Sequence, residues 1–166
     1  MEKVYGTDER HDALIIQSTG RCVLVYGYGE EDGMGFDYRH TFDHKPTSSE
    51  VLDVITTHVN ALTDQKILSG YVWNGMNVWL SSENQFNFKA SYDAAVQFGG
   101  ATLPIRFKLG ETDSEPNYYV FEDMETFTDF YTKALTFIIE TLNVGWMEKD
   151  AAKEWVGTLG LNSGQA

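Results

Sequence analysis

Cysteine is nearly absent: Cys22 is the only one in 166 residues. No disulfide can close within the chain, and no cluster of thiolates can hold a metal. Bases are scarce as well, 12 against 25 acids, for a formal charge of −13. An acidic surface of that kind repels phosphate backbones and argues against non-specific nucleic-acid binding. Long hydrophobic runs are missing. ALIIQ and ALTFIIETL fall far short of the roughly 20 residues that span a bilayer, so no membrane partner is expected. The N-terminal MEKVYGTDERHDALIIQ has no uninterrupted apolar region and no small-residue cleavage site, and no Asn-x-Ser/Thr sequon occurs. The expectation is a soluble protein made in the cytoplasm without export.

What is present suits a folded globule: 42% hydrophobic, 14% aromatic and 22% charged residues. A chain of this size removes about 70% of its unfolded surface from water and needs no metal or disulfide to do so.

Residues 12–19 and 21–28 are short β-branched runs split by Gly20, a hairpin pattern. GYGEEDGMG follows and reads as an acidic turn or loop. From Gly35 the residues alternate, with Phe36, Tyr38, His40 and Phe42 on one face and Asp37, Arg39 and Thr41 on the other, as in a half-buried strand. The period then changes. Thr47 and Glu50 form a capping box ahead of Val51, Leu52, Ile55, Val59 and Leu62 at helical spacing, and this helix is expected to end near Thr63-Asp64.

GYVWNGMNVWL is the sharpest local signal, because Asn-Gly tolerates the positive φ that a two-residue hairpin turn requires. That turn pairs Trp73 with Met76 and Tyr71 with Val78, placing them with Leu80 on one apolar face. A three-residue turn would split the apolar set, so the first register is preferred. Trp73 is then core. Val72, Asn77 and Trp79 take the second face, where Trp79 is either covered by the long C-terminal helix or free to anchor a partner. Ser82 and Gln85 suggest a capping box for a helix carrying Phe88, Tyr92, Ala95 and Val96, stopped at Gly99-Gly100. ATLPIRFKLG alternates, with Leu103, Ile105, Phe107 and Leu109 inward; Pro104 predicts an edge strand or one whose N–H side is unpaired there. ETDSEPN reads as a loop, NYYVFED as the partner strand, and Asp123 as the cap of a long helix in which Gly145 is the candidate position for a bend or interruption. TLGLNSGQA reads as a frayed tail.

The fold class is therefore α+β: an N-terminal β-rich portion (1–45), a helix and connection (46–69), a hairpin–helix–hairpin–long-helix region (70–157) and a tail (158–166). DHKPTSSEVLDVI, KILSGYVWNGMNVWLSSENQFNFKASYDAA, GGATLPIRFKLG and GWMEKDAAKEW, in that order, resemble a family of small phage and prophage proteins of Bacteroides-type genomes, a domain of unknown function. Related domains occur near or fused to tail-fibre and tail-assembly proteins. The resemblance covers about residues 40–157. It implies a viral setting, with synthesis in the host cytoplasm and incorporation in a virion as an option. It carries no catalytic residues.

Catalytic motifs are missing. The glycine-rich stretch at 27–35 has Asp32 where a dinucleotide loop needs its third glycine, and its three consecutive acids repel phosphate. Glu30, Glu31 and Asp32 lack the alternating spacing of a calcium loop. His40 and His44 stand four apart beside Asp37 and Asp43, but on a strand and loop that do not guarantee convergence; His11 and His58 show no local partner. Structural or surface histidines are the reading, with no metal and no cofactor. Cys22 lies in a strand as a small buried hydrophobe.

Between Lys108 and Lys133 stand Glu111, Asp113, Glu115, Glu122, Asp123, Glu125 and Asp129 with no base. They read either as a solvated loop and helix start or as a negative surface for a basic partner. The expected protein-binding residues are thus Trp79, Glu111, Asp113 and Glu115. The leading function is a non-enzymatic phage or prophage protein working through contacts with a phage or host protein, or with copies of itself, as a tail-associated structural or assembly factor. The alternatives are a phage inhibitor that blocks a host defence system with an acidic surface, and an enzyme of unrecognised type.

Overall fold

The computed structural model describes residues 1–112 and 115–162. It has α+β architecture, in the expected order of β-rich portion, helix, hairpin, helix, hairpin and long helix. The elements are β1 (Glu2–Tyr5), β2 (Ala13–Ile16), β3 (Cys22–Glu31), β4 (Met34–Phe42), α1 (Ser48–Ser69), β5 (Tyr71–Trp73), β6 (Met76–Val78), α2 (Ser82–Gln97), β7 (Ile105–Thr112), β8 (Glu115–Phe121) and α3 (Met124–Thr158). Two compact units result, Met1–Asn60 with Trp146–Ala166, and Ala61–Gly145, so that α1 and α3 each give a part to both.

In the first unit β1-β4-β3-β2 form an antiparallel sheet. Cys22, Leu24 and Tyr26 from β3 and Phe42 from β4 pack on Val51, Ile55 and Val59 of α1 and Ala152 and Val156 of α3. The β1 strand, unassigned from the sequence, pairs with the outer edge of β4. The glycine-rich stretch corrects the loop expectation. Most of it is strand, and only Asp32-Gly33 turns, at φ 51° and 75°, the conformation Asp-Gly favours in two-residue hairpins. The extra glycines have another use: a Cβ at Gly29 would come within 2.2 Å of the Phe36 ring, which lies across that backbone. Asp37, expected on a solvent face, is buried, and Arg39 donates from Nε (2.8 Å) and Nη2 (3.0 Å) to its two carboxylate oxygens.

The capping box of α1 forms as expected. The Thr47 N–H donates to Glu50 Oε2 at 2.8 Å, and the Glu50 N–H to Thr47 Oγ1 at 3.3 Å. The Thr47 N–H and the Thr47 hydroxyl, with the His44 imidazole, hold the Glu50 carboxyl at about 2. The helix does not end at Thr63-Asp64. No glycine or proline intervenes before Gly70, so it runs to Ser69.

The second unit is built on two hairpins. β5 and β6 pair in the expected register, Tyr71 with Val78 and Trp73 with Met76, around Asn74-Gly75 at φ 48° and 76°. The Trp79 N–H donates to the Leu109 carbonyl at 2.7 Å, joining this hairpin to β7–β8. Tyr71, Trp73, Val78, Leu80, Phe88, Leu109, Phe121, Phe127 and Phe130 make the core, with Trp73 at 2% exposure. Its rings meet mostly edge-on or tilted, as between Phe88 and Phe130 at 5.1 Å, while Phe121 and Phe127 stack at 4.7 Å, arrangements that add about 0.5–1.5 kcal/mol per pair to burial.

Four expectations here need correction. The α2 cap is Ser81 rather than Ser82, its Oγ accepting from the Asn84 N–H at 3.2 Å. Pro104 precedes β7 instead of lying in it. The expected ETDSEPN loop is mostly strand, since β7 continues to Thr112 and β8 starts at Glu115. Gly145 does not interrupt α3, which is one helix of 35 residues. Gly145 is buried where an added Cβ would lie 2.5 Å from Thr63 Oγ1, so the missing side chain allows α1 and α3 to approach within this unit.

Candidate functional site

Trp79 stands between β6 and α2. Its N–H is held by the Leu109 carbonyl, and its own carbonyl accepts from Asn84 Nδ2 at 2.8 Å. With both backbone groups bonded, the indole projects on the outer side of the hairpin at 44% exposure. Of the two outcomes the register left open, covered or exposed, the second is realised. The ring lines a cleft of about 500 Å³ with Leu68, Ser69, Glu83, Asn84 and Lys108. Volumes of this order hold small-molecule ligands.

A second concavity lies between α2 and α3. It measures about 220 Å³ and is lined by Leu80, Phe86, Phe88, Tyr131, Leu135 and Ile138. It is mainly apolar, with Gln85 and Lys89 also on its lining, and it is open to solvent: Phe86 is 70% and Leu135 45% exposed. The sequence reading missed it. Phe88 fixes the inner face of α2, and Phe86, two residues away on a 3.6-residue period, must point elsewhere. That spacing was the available signal. Val96, grouped with the inner residues from the sequence, is exposed too.

Among the described residues the expected acids do not gather into one site. Glu111 accepts from Lys108 Nζ at 2.5 Å, and since Lys108 lines the Trp79 cleft, Glu111 and Trp79 are brought near one another through it. Glu115 is exposed at the start of β8, and Asp113 lies outside the described residues. Asp123 accepts the Thr126 N–H at 2.7 Å, and that N–H with the Thr126 hydroxyl holds its carboxyl below the usual range. Asp129 is likewise lowered, by Lys133 and then by the Trp73 N–H. Local partners therefore occupy much of the charge that the sequence shows as unrelieved.

The histidines are dispersed. His44 Nε2 lies 2.9 Å from Glu50 Oε1, and His40 packs edge-on against Phe42. His11, for which no partner was expected, has Nδ1 3.3 Å from Thr7 Oγ1 and 3.1 Å from the Glu9 carbonyl. His58 stacks edge-on with Tyr38 at 4.1 Å. Among the described residues no three His, Cys, Asp or Glu side chains converge to hold a metal ion, and no helix is long and apolar enough to cross a membrane.

One polar cluster, in the first unit, combines groups that elsewhere do acid–base work. Arg10 donates to Asp12 and Glu148, the Tyr26 hydroxyl donates to Glu148 Oε1 at 2.7 Å, and the Gly27 N–H donates to Asp12 Oδ1 at 2.8 Å. Burial and the Glu148 carboxylate push the Tyr26 phenol well up, while Arg10 holds Glu148 down. Each charge is spent on a neighbour, which makes this a tie between the segment before β2 and α3. No protein-family model, curated protein or solved structure matches the chain.

Proposed function

We propose that this chain is a non-catalytic phage or prophage protein that works through protein–protein contacts, as a tail-associated structural or assembly factor. The observation that carries the contact reading is the open apolar groove between α2 and α3, where Phe86 and Leu135 stand exposed around a concave floor. Large aromatics seated on such patches commonly supply most of the energy of an interface. The viral setting rests on the resemblance of residues 40–157 to phage and prophage proteins. Local pairing of Glu111, Asp123 and Asp129 favours an apolar contact over an acidic decoy for a basic site.

The test is co-purification with phage assembly intermediates. The chain should be recovered with tail or tail-assembly particles, and Phe86→Glu should remove it from them while leaving the fold intact. Failure to find it in any such particle, or equal recovery of Phe86→Glu, ends the assembly reading. Recovery on a host nuclease instead would replace it with inhibition.

A further inference from the structure

We propose that the Trp79 cleft is a saccharide site: a neutral pyranose stacks its C–H face on the indole while its hydroxyl edge meets Asn84, Glu83 and Lys108. This goes beyond the contact reading, which rests on a different concavity, and does not depend on it. The case rests on the chemistry of the lining. Trp79 is 44% exposed on the cleft lining, and an aromatic face carries the negative part of the ring quadrupole, which suits polarised C–H groups. Asn84 uses Nδ2 to hold the Trp79 carbonyl at 2.8 Å, which leaves Oδ1 as an acceptor for a hydroxyl. Glu83 adds a carboxylate acceptor and Lys108 an ammonium donor to the same cleft.

Charge narrows the occupant. Glu83 and a formal charge of −13 disfavour an anionic ligand, and the Lys108 ammonium, already paired with Glu111 at 2.5 Å, offers it no free positive charge. A purely apolar partner side chain would strip water from Asn84, Glu83 and Lys108 and return no hydrogen bonds. A neutral molecule with one apolar face and a rim of hydroxyls satisfies all of these groups at once. The site is also held in advance. The two backbone bonds of Trp79 and the Ser81 cap on the Asn84 N–H fix platform and acceptor to each other, so little ordering is left for the ligand to impose. Gly110 completes the wall. A Cβ there would lie 2.5 Å from the Asn77 carbonyl oxygen and 3.6 Å from Trp79 Cδ1, so the bare backbone seats the edge of the indole against β7.

The experiment is a titration of the full chain, followed by the indole N–H and side-chain amide resonances of Trp79 and Asn84. The probes are cellotriose, maltotriose, mannotriose and lactose, against sialyllactose as an anionic and glucosamine as a cationic sugar. At least one neutral oligosaccharide should shift both resonances saturably at millimolar concentration. Trp79→Ala should weaken that sugar by about tenfold or more and Trp79→Tyr should retain most of the affinity. An unchanged Trp73 indole resonance verifies the fold of each variant. The proposal is overturned if no neutral sugar moves these resonances, if a charged sugar binds best, or if Trp79→Ala binds as wild type. It is equally overturned if only a protein partner perturbs the cleft.

Discussion

The Trp73 indole N–H donates to Asp129 Oδ2 at 3.0 Å, so the largest ring of the second unit's core is tied by its one polar atom to a carboxylate on α3. Asp129 also meets Lys133 Nζ at 2.7 Å. Trp73→Ala should lower the unfolding free energy by about 3–5 kcal/mol, the range for a large buried aromatic. Trp73→Phe keeps most of the packing and should lose less. Urea denaturation measures both; an alanine variant as stable as wild type would mean that the ring is not in the core.

Tyr71 makes the opposite case. Its hydroxyl is buried with no hydrogen-bond partner among the described residues, and burial, with Asp129 nearby, pushes its phenol up to about 12. An unpaired buried hydroxyl costs about 1–3 kcal/mol. Tyr71→Phe removes the orphaned atom and keeps the ring, so thermal melting should show a variant at least as stable as the native chain. A clear loss of stability would reveal a partner for the hydroxyl.

His58 sets a pH window. Burial first, and then the positive N-terminus, lower its pKa from 6.5 to about 4. The unfolded chain therefore takes up a proton on His58 before the folded one does. Stability should fall as pH drops below 6.5, and this contribution should level off near 4. Glu50, held at about 2, adds its own loss only below 4.5. His58→Phe should flatten the upper window and leave the lower one. An unchanged slope between pH 6.5 and 4 in stability measurements would assign that dependence to other groups.

Gly145 and Thr63 should be coupled. Alanine favours a helix over glycine by about 1 kcal/mol, yet Gly145→Ala places a Cβ against Thr63 Oγ1 and should be net destabilising. Adding Thr63→Ala should restore stability beyond the sum of the single changes. Additive effects in a double-mutant cycle would show that the two side chains do not compete for the same space.

Contacts made through the α2–α3 groove should depend little on ionic strength, because Phe86 and Leu135 are apolar and the one charged lining residue, Lys89, is paired with Asp93. Charge reversal at Glu111 and Glu115 should leave such a complex within a few-fold of wild type, whereas acidic recognition weakens steeply with salt. Binding curves in low and high salt separate the two.

The fold was legible wherever local chemistry and packing agree. Asn74-Gly75 set the register of β5–β6, Thr47 and Glu50 the start of α1, and Asp123 the start of α3. The β3–β4 turn was obscured because Asp32-Gly33 sits among glycines that serve other ends, such as the Phe36 ring over Gly29. Gly145 was misread for a related reason: glycine marks a helix break and a close helix approach alike, and only the position of Thr63 decides. The candidate site was half legible. Alternation assigned Trp79 to the second face, but whether an element covers that face is a tertiary fact. The Asn84 contact and the Lys108–Glu111 pair depend on loop geometry that no spacing encodes.

Burial of the lone thiol has a practical side. Cys22 is fully shielded, within the first unit, among Leu24, Val51 and Ile55. A thiol reagent can modify it only when that core opens, so the rate of labelling is a clock for the opening of the sheet and its two helices. The second unit holds no cysteine, and Trp73 is its buried fluorophore. The native thiol thus reports on the first unit alone, without any engineered label.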